Sequence, residues 1–298
     1  MLSRLALVLD SIKIAHSVFA LPFALVAMLV AAGGWPAWGV FGPIVLCMVA
    51  GRSAAMAFNR WADRRFDAEN PRTKGRPTVS GALSPGFLLG FVLASAALFV
   101  AGAWLLNPVC GALALPVLAI LLGYSFAKRF TSLCHFWLGL SLGLAPLGAH
   151  LAVTGDLSPL PGLGAARGLP FEAFPLLLGL AVLCWVSGFD LIYACQDYAV
   201  DAADPRLHSM PKRLGIAGAL KLSTALHALA MALLIGTGVY AALGLAYYAA
   251  LAVVAALLIY EHSIVKPDDL SRVNVAFFTL NGAVSLVLLA AVALERGL

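Results

Sequence analysis

Nine long apolar segments constrain the fold of this chain more than any other feature of its sequence. Each is about 20 residues long and almost free of charge, which is the length that crosses the hydrocarbon core of a bilayer as an α-helix. The runs are continuous rather than alternating, so they do not suit a transmembrane β-barrel. They lie near 11–31, 38–58, 85–105, 109–127, 134–153, 173–195, 217–241, 245–263 and 272–294. We therefore predict an all-α polytopic membrane protein with nine transmembrane helices.

The composition excludes other classes of protein. Of 298 residues, 62% are hydrophobic and 11% are charged, and the mean hydropathy is +0.96. A soluble domain is about half apolar and about a quarter charged, so this chain is neither an ordinary soluble domain nor disordered. The five cysteines are an odd number without a Cys-x-x-Cys pair, which does not suit a disulfide framework.

The basic residues are distributed unevenly between the two faces of this predicted bundle. Sixteen of the nineteen Lys and Arg residues lie in the N-terminus and in the loops after the second, fourth, sixth and eighth spans, whereas the opposite face holds two, Arg167 and Arg296. The positive-inside rule then places the N-terminus in the cytoplasm and the C-terminus outside, in an inner or cytoplasmic membrane. The net charge of +5 is explained by this orientation, so we expect membrane lipid or an anionic substrate as partner and no nucleic acid.

Two pairs of aspartates, Asp63 with Asp67 and Asp197 with Asp201, have the form Asp-x-x-x-Asp. On a helix, residues four apart share one face and are separated by about 6 Å along the axis. Two carboxylates so placed repel each other unless a cation lies between them. Mg²⁺ prefers such oxygen ligands and is usually held by one or two carboxylates together with phosphate oxygens and waters.

The separation of the two pairs is a second signal. The first and second aspartates of one pair are each 134 residues from their counterparts, and both pairs follow even-numbered spans. One such pair alone is typical of a solvated helix end, but two copies at identical offsets on one membrane face favour a functional site. We predict one domain over 1–298 with internal repeats at about 11–130 and 134–265, a ninth helix at about 272–294, and a central cavity between the repeats.

A basic cluster closes the fourth span on the same face, where Lys128 and Arg129 follow Tyr124. Alone, these bases would be an ordinary positive-inside flank. Beside two acidic pairs they become a candidate diphosphate clamp, because Arg binds phosphate oxygens in a bidentate fork and Lys binds them as a point charge.

These motifs resemble the UbiA-type superfamily of intramembrane prenyltransferases. That family is marked by Asn-x-x-x-Asp-x-x-x-Asp followed by a second Asp-x-x-x-Asp, which here are Asn59, Asp63, Asp67 and then Asp197, Asp201. The resemblance continues through Arg72-Thr-Lys-Gly-Arg76-Pro, the segment 124–129 and Asp190-x-x-Tyr193, and it covers essentially the whole chain.

Within the superfamily, the chain is most similar to the 4-hydroxybenzoate polyprenyltransferase branch, especially a menaquinone-pathway-like subgroup. The residues that carry this similarity are Ala57-Phe58-Asn59-Arg60, the segment 68–73 and Leu207-His208-Ser209-Met210-Pro211. Arg60 is a departure, because many relatives have Asp after the Asn. This weakens the assignment of one substrate and leaves the acidic positions intact.

The resemblance implies Mg²⁺-dependent transfer of a polyprenyl group from polyprenyl diphosphate to the ring of a hydroxylated aromatic acid, in respiratory quinone biosynthesis. It implies that Asp63 and Asp67, assisted by Asn59, hold one Mg²⁺, and that Asp197 and Asp201 hold a second. The residues implied for the diphosphate are Asn59, Arg64, Tyr124, Lys128 and Arg129. Asp190 is a candidate for orienting the acceptor or accepting a proton, and a structural role at the helix end remains an equal alternative.

Several alternatives stay open at this point. The same chemistry suits a dihydroxynaphthoate, haem, a chlorophyll-like ring or a lipid glycerol as acceptor. An ion- or proton-coupled transporter also carries acids within membrane spans, but such acids lie near the bilayer midplane rather than paired at one face. Contacts of His16, His208 or Arg60 with the acceptor, the prenyl chain length and the oligomeric state are not fixed by the sequence.

Overall fold

A computed structural model describes residues 7–8, 19–155 and 173–298 of the chain, and these residues form an all-helical bundle. The helices are α1 Leu21–Ala32, α2 Trp38–Ala62, α3 Arg64–Glu69, α4 Pro85–Leu106, α5 Pro108–Ala127, α6 Cys134–Thr154, α7 Ala173–Ala194, α8 Tyr198–Ala203, α9 Met210–Tyr240, α10 Leu245–Ile264 and α11 Asn281–Glu295. A 3₁₀ turn, Cys195–Asp197, joins α7 to α8, and a π-helical segment, Val275–Leu280, leads into α11. Lys266 and Asp269 form an isolated β-bridge, and the described residues contain no strand.

Eight spans in the described part of the chain are long and apolar enough to cross a membrane. The first predicted span, 11–31, begins in residues that the structure does not describe, and the shorter apolar helix α1 covers most of its described part. The prediction of a polytopic all-α membrane fold is confirmed. Arg4 and Lys13 of the basic N-terminus, His16, Arg167 and the rest of residues 156–172 lie outside the described residues.

Helix boundaries follow local sequence signals. Asn107 separates α4 from α5: its side chain accepts a hydrogen bond from the Cys110 N–H at 2.8 Å and donates one to the Leu151 carbonyl at 3.0 Å. Pro108 then takes the first helical position, where its missing N–H costs nothing. The predicted seventh span starts at 217, whereas α9 starts at Met210. Gly215 (φ +72°) interrupts this helix and separates its first turn from the long span that follows.

Helices α6 and α7 pack closely because small residues line their contact. A Cβ atom added at Gly143 would lie 2.6 Å from the Gly179 carbonyl oxygen, and one at Gly139 would lie 2.5 Å from the Leu183 carbonyl oxygen. Glycine at these positions lets the two backbones approach, as is common between helices in membranes. This contact places the end of α7 beside the start of α6.

The two short helices α3 and α8 lie next to each other at one end of the bundle. Arg206 donates a hydrogen bond at 2.6 Å to Glu69, the last residue of α3, and also pairs with Asp204 just beyond α8. Each short helix continues one long span, α2 or α7, after a break. The acidic pairs lie at those two breaks.

Candidate active site

The two acidic motifs have the same backbone geometry. Asp63, between α2 and α3, has φ −90° and ψ 4°, and Asp197, the last residue of the 3₁₀ turn before α8, has φ −93° and ψ 3°. Each is followed by a six-residue helix whose first turn contains the second aspartate, Asp67 or Asp201. This correspondence supports the proposed duplication of a four-helix unit.

The first aspartate of the first motif is held from two helices. The Asn59 side-chain N–H donates to Asp63 Oδ2 at 2.7 Å, and Arg60 Nη1 donates to the side-chain oxygen Oδ1 of Asn59 at 3.4 Å. Arg129 Nη2 donates to Asp63 Oδ1 at 3.2 Å and to the Ala62 carbonyl at 2.8 Å. Asn59 and Arg129 therefore both contact Asp63, and their predicted roles in binding a metal or a diphosphate stay predictions.

The second aspartate of the first motif is paired with a base from the following loop. Arg76 Nη1 lies 2.7 Å from both Asp67 carboxylate oxygens. The Thr73 hydroxyl donates to the Asp67 carbonyl at 3.0 Å and so ties the loop to α3. Asp67 is buried, so its charge is compensated mainly by this arginine.

The first aspartate of the second motif is contacted by the loop that follows the first motif. Arg72 donates from Nε to Asp197 Oδ1 at 3.0 Å and from Nη2 to Oδ2 at 2.6 Å. The Asn70 amide adds a bond to Oδ1 at 3.0 Å, and Arg72 Nη1 also donates to the Tyr193 hydroxyl at 3.1 Å. These bonds bring the two motifs together, as the central-cavity prediction requires.

The second aspartate of the second motif, Asp201, is almost completely buried. Lys128 Nζ forms an ion pair with its Oδ1 at 2.7 Å. Neither Asp201 oxygen accepts a hydrogen bond of good geometry from the described residues. This buried carboxylate therefore has unused acceptor capacity.

Four acids are thus matched by four bases, of which the sequence predicted two, Lys128 and Arg129. Arg72 and Arg76 were not assigned to the site from the sequence, although their position in the Arg72-Thr-Lys-Gly-Arg76-Pro segment was a signal. Arg64 was assigned to the diphosphate, and it takes part in none of these four ion pairs. Its role stays a prediction.

The charges of the site shift pKa values outside the membrane spans. Burial raises the pKa of the Asp63 carboxyl above its ordinary value, and the bonds from Arg129 and Asn59 offset this only in part. Burial alone would lower the pKa of Lys128, but the adjacent Asp201 carboxylate outweighs it and raises that pKa. Lys128 is therefore a permanent cation at neutral pH, while Asp63 lacks full compensation of its charge.

An apolar cavity of about 590 Å³ leads away from this cluster into the bundle. Its lining runs from Ile44 to Met56 along α2 and from Cys110 to Tyr124 along α5, so it extends about 20 Å along the helices. Arg52 is the charged side chain of its lining. The sequence analysis did not assign Arg52 a role, although a charged residue inside a span is itself a functional signal.

Asp190 and Tyr124 lie where the cavity meets the acidic cluster. Tyr124 lines the cavity, and the charged groups that act on its hydroxyl include Asp190, Asp63 and Arg60. Asp190 Oδ2 lies 2.6 Å from His135 Nδ1. His208 is exposed and reaches the site through its backbone N–H, which donates to the Lys128 carbonyl at 2.7 Å.

The donor set suits Mg²⁺ rather than a metal held by the protein alone. Within 7–8, 19–155 and 173–298, no three His, Cys, Asp or Glu side chains are grouped closely enough to hold a metal. The acids come instead as two pairs of carboxylates, with free acceptor capacity at Asp201. Mg²⁺ is commonly held by one or two carboxylates, the rest of its ligands being phosphate oxygens and waters, so the residues fit it.

Comparison with known proteins identifies the family. Residues 20–283 match the UbiA prenyltransferase family. The chain belongs to this family. The predictions of a UbiA-type prenyltransferase and of an enzyme are thereby confirmed.

Relatives and solved structures agree with this assignment. The chain is 35% identical to a 4-hydroxybenzoate octaprenyltransferase of Paracidovorax citrulli over 65% of this chain and 62% of that one, so this match spans less than two thirds of the relative. It is 30% identical to the protein of the same name from Cupriavidus necator over 84% and 82% of the two chains. A UbiA homolog from Aeropyrum pernix K1, solved in its apo form, is 36% identical and superimposes with a TM-score of 0.82 over 95% of this chain and 98% of that one. A UbiA homolog from Archaeoglobus fulgidus, bound to DMAPP and Mg²⁺, has the same fold, with 19% identity and a TM-score of 0.71 over 98% and 99% of the chains.

Proposed function

We propose that this protein is a Mg²⁺-dependent polyprenyltransferase that joins the polyprenyl group of a polyprenyl diphosphate to the ring of a 4-hydroxybenzoate-like aromatic acid, in respiratory quinone biosynthesis. The observation that carries this proposal is the position of four ion-paired aspartates at the mouth of an apolar cavity. The relatives named 4-hydroxybenzoate octaprenyltransferase support the same chemistry.

The diphosphate would bind at the acidic cluster. Asp63, Asp67, Asp197 and Asp201 would hold Mg²⁺, with Asn59 orienting Asp63. Bound there, Mg²⁺ would supply positive charge that stabilises the departing diphosphate. Lys128, Arg129, Arg72, Arg76 and Arg64 supply the cations of this chain for its phosphate oxygens, and Tyr124 closes the inner side of the cluster.

The prenyl tail would occupy the apolar cavity. A cavity of about 590 Å³ lies within the range of ligand sites, and its apolar lining suits a hydrocarbon chain. Breaking the carbon–oxygen bond to the diphosphate leaves an allylic cation, which water would trap as an alcohol. The apolar walls around the reacting carbon exclude that water.

The aromatic acid would bind between Asp190, Tyr124 and Arg52. Arg52 is the charged side chain in the cavity lining, and burial of a carboxylate requires a cation near it. Asp190 would accept the phenol proton, which makes the ring more nucleophilic at the carbon ortho to the oxygen. The new carbon–carbon bond forms there, the electron pair of the broken bond leaves with the diphosphate, and loss of the ring hydrogen as a proton restores aromaticity.

The membrane supplies both the setting and the lipid substrate. We propose that the acidic mouth and the N-terminus face the cytoplasm and that the C-terminus lies outside, in the inner or cytoplasmic membrane, because the basic loops share the face of the mouth. In this arrangement the charged diphosphate stays at the aqueous surface while its tail stays at the level of the lipid chains.

The test is prenyl transfer by the purified full-length protein in liposomes. A polyprenyl diphosphate, Mg²⁺ and a panel of phenolic and naphthoic acids are combined, with Asp63→Ala and Asp197→Ala as site variants and the exposed loop variant Asp268→Ala as matched control. We expect a prenylated 4-hydroxybenzoate that requires Mg²⁺, disappears in both site variants and persists in the control. Product on a dihydroxynaphthoate alone would move the acceptor to the menaquinone pathway, and no product on any acceptor would refute the proposal.

A further inference from the structure

A buried histidine lies behind Asp190 and has no part in the chemistry described so far. His135 is the second residue of α6, and its side chain is buried, whereas that of Asp190 remains partly accessible. His135 Nδ1 lies 2.6 Å from Asp190 Oδ2. Among the described residues, no hydrogen-bond donor contacts Asp190 Oδ1, and 15% of the Asp190 side chain is exposed.

The contact at the other ring nitrogen of His135 determines which nitrogen carries the hydrogen. The backbone N–H of Met210 points at His135 Nε2 over 3.4 Å. Because an N–H can only donate, Nε2 must present its lone pair, and the hydrogen of a neutral ring is then on Nδ1. His135 therefore donates to Asp190, and Asp190 is the accepting carboxylate of the pair.

The backbone that carries the Met210 N–H is itself fixed to the diphosphate side of the site. Lys212 Nζ donates to the Leu207 and Asp204 carbonyls at 2.9 and 2.8 Å. The His208 N–H donates to the Lys128 carbonyl at 2.7 Å. The segment 207–210 thus contacts Lys128 at one end and His135 at the other through its backbone N–H groups. This is a structural role for the Leu207-His208-Ser209-Met210-Pro211 motif.

We propose that His135 is a positioning residue for the acceptor: its Nδ1–H binds Asp190 Oδ2, holds that carboxylate in one orientation and turns Oδ1 toward the phenol. This rests on the proposed function. The phenol proton passes to Asp190 Oδ1, and Asp190 returns it to the product oxygen after the ring carbon has lost its hydrogen as a proton, which leaves with the diphosphate. One proton is released for each diphosphate formed, and His135 retains its own proton throughout.

The test compares His135→Leu with His135→Asn in the full-length protein. Leucine removes the donor, whereas the asparagine amide can place an N–H near the position of Nδ1. We expect His135→Leu to lower kcat about 100-fold, at the lower end of the range for a general base, and His135→Asn to recover about tenfold of that loss. The KM for polyprenyl diphosphate should stay within about twofold of wild type, because His135 contacts none of the four ion pairs.

A second readout separates base chemistry from a loss of structure. Acceptors with more acidic phenols, such as ring-fluorinated 4-hydroxybenzoates, need less help from a base, so the deficit of His135→Leu should shrink as phenol acidity rises. His262→Leu removes a histidine outside the site and should show the wild-type dependence on acidity.

The outcomes distinguish this inference from the proposed function. If wild type prenylates the acid and His135→Leu keeps its kcat, or if its deficit is the same for every acceptor, the positioning role is refuted while the proposed function stands. If wild type prenylates no phenolic acid, the proposed function fails first.

Discussion

Removing Arg72 is the sharpest perturbation of the ion-paired site. Its guanidinium makes two bonds to Asp197 and one to the Tyr193 hydroxyl. In Arg72→Ala the buried Asp197 would retain the Asn70 amide as its hydrogen-bond donor among the described residues. A buried carboxylate that loses its cation is strongly destabilised, because it keeps its desolvation cost without the compensating attraction.

The magnitude follows from the geometry of the pair. Hydrogen bonds to charged groups contribute about 1.5–3 kcal/mol each when buried. The side chain of Arg72 is 33% exposed, so solvent screens the pair and the two carboxylate bonds cannot be summed at full value. We expect a coupling free energy of about 2 kcal/mol between Arg72 and Asp197, or about 30-fold in the unfolding equilibrium.

A double-mutant cycle measures this coupling. Arg72→Ala, Asp197→Asn and the double variant are unfolded at equilibrium in detergent micelles, and the combination of Asp197→Asn with Arg65→Ala, on the exposed surface of α3, is the matched control. The control pair should be additive within about 0.5 kcal/mol. A coupling below about 0.5 kcal/mol between Arg72 and Asp197 would contradict the view that this arginine compensates a buried acid.

Three further changes test the fold and the site. Gly143→Leu should cost at least about 2 kcal/mol in thermal unfolding, because its side chain would meet the Gly179 carbonyl, and an unchanged melting temperature would contradict the close packing of α6 on α7. Glu295→Ala should lower the unfolding free energy by about 1 kcal/mol, because Glu295 accepts two backbone N–H groups at the start of α10, and Glu295→Gln should retain part of this in the same assay. Lys128→Met should raise the KM for polyprenyl diphosphate by at least about tenfold, since it removes one of the cations proposed for the phosphate oxygens, and an unchanged KM would remove Lys128 from the diphosphate site.

The bundle could be predicted from the sequence because hydropathy alone identifies spans. Lipid offers no hydrogen-bond partners to the backbone, so each long apolar run must satisfy its own N–H and C=O groups by forming a helix. The break at Asn107-Pro108 could also be predicted, since a capping side chain before proline is a local signal. The early start of α9 could not, because residues 210–216 include Lys212 and Arg213 and are polar enough to be taken for a loop.

The acidic half of the site was visible in the sequence, and much of its basic half was not. Asp63 and Asp197 stand out because carboxylates are scarce in an apolar chain and recur at a fixed offset. Arg72 and Arg76 lie in a loop rich in bases, and a loop sequence does not specify which acid each base meets. His135 is also hidden from sequence reasoning, because its partner Asp190 lies 55 residues away on another helix.

The pairing of four acids with four bases predicts how the site fills. If a divalent cation binds alone, it must compete with a base at every carboxylate. If a diphosphate binds alone, it must compete with a carboxylate at every base. Together they satisfy both sets, because the cation takes over the acids and releases the bases to the phosphate oxygens. Each ligand should therefore strengthen the binding of the other by an equal factor, as linkage requires.

Calorimetric titration with Mg²⁺, with a prenyl diphosphate and with both would measure this factor, which we expect to exceed tenfold. Independent binding would mean that the ion pairs do not have to open for the ligands to enter.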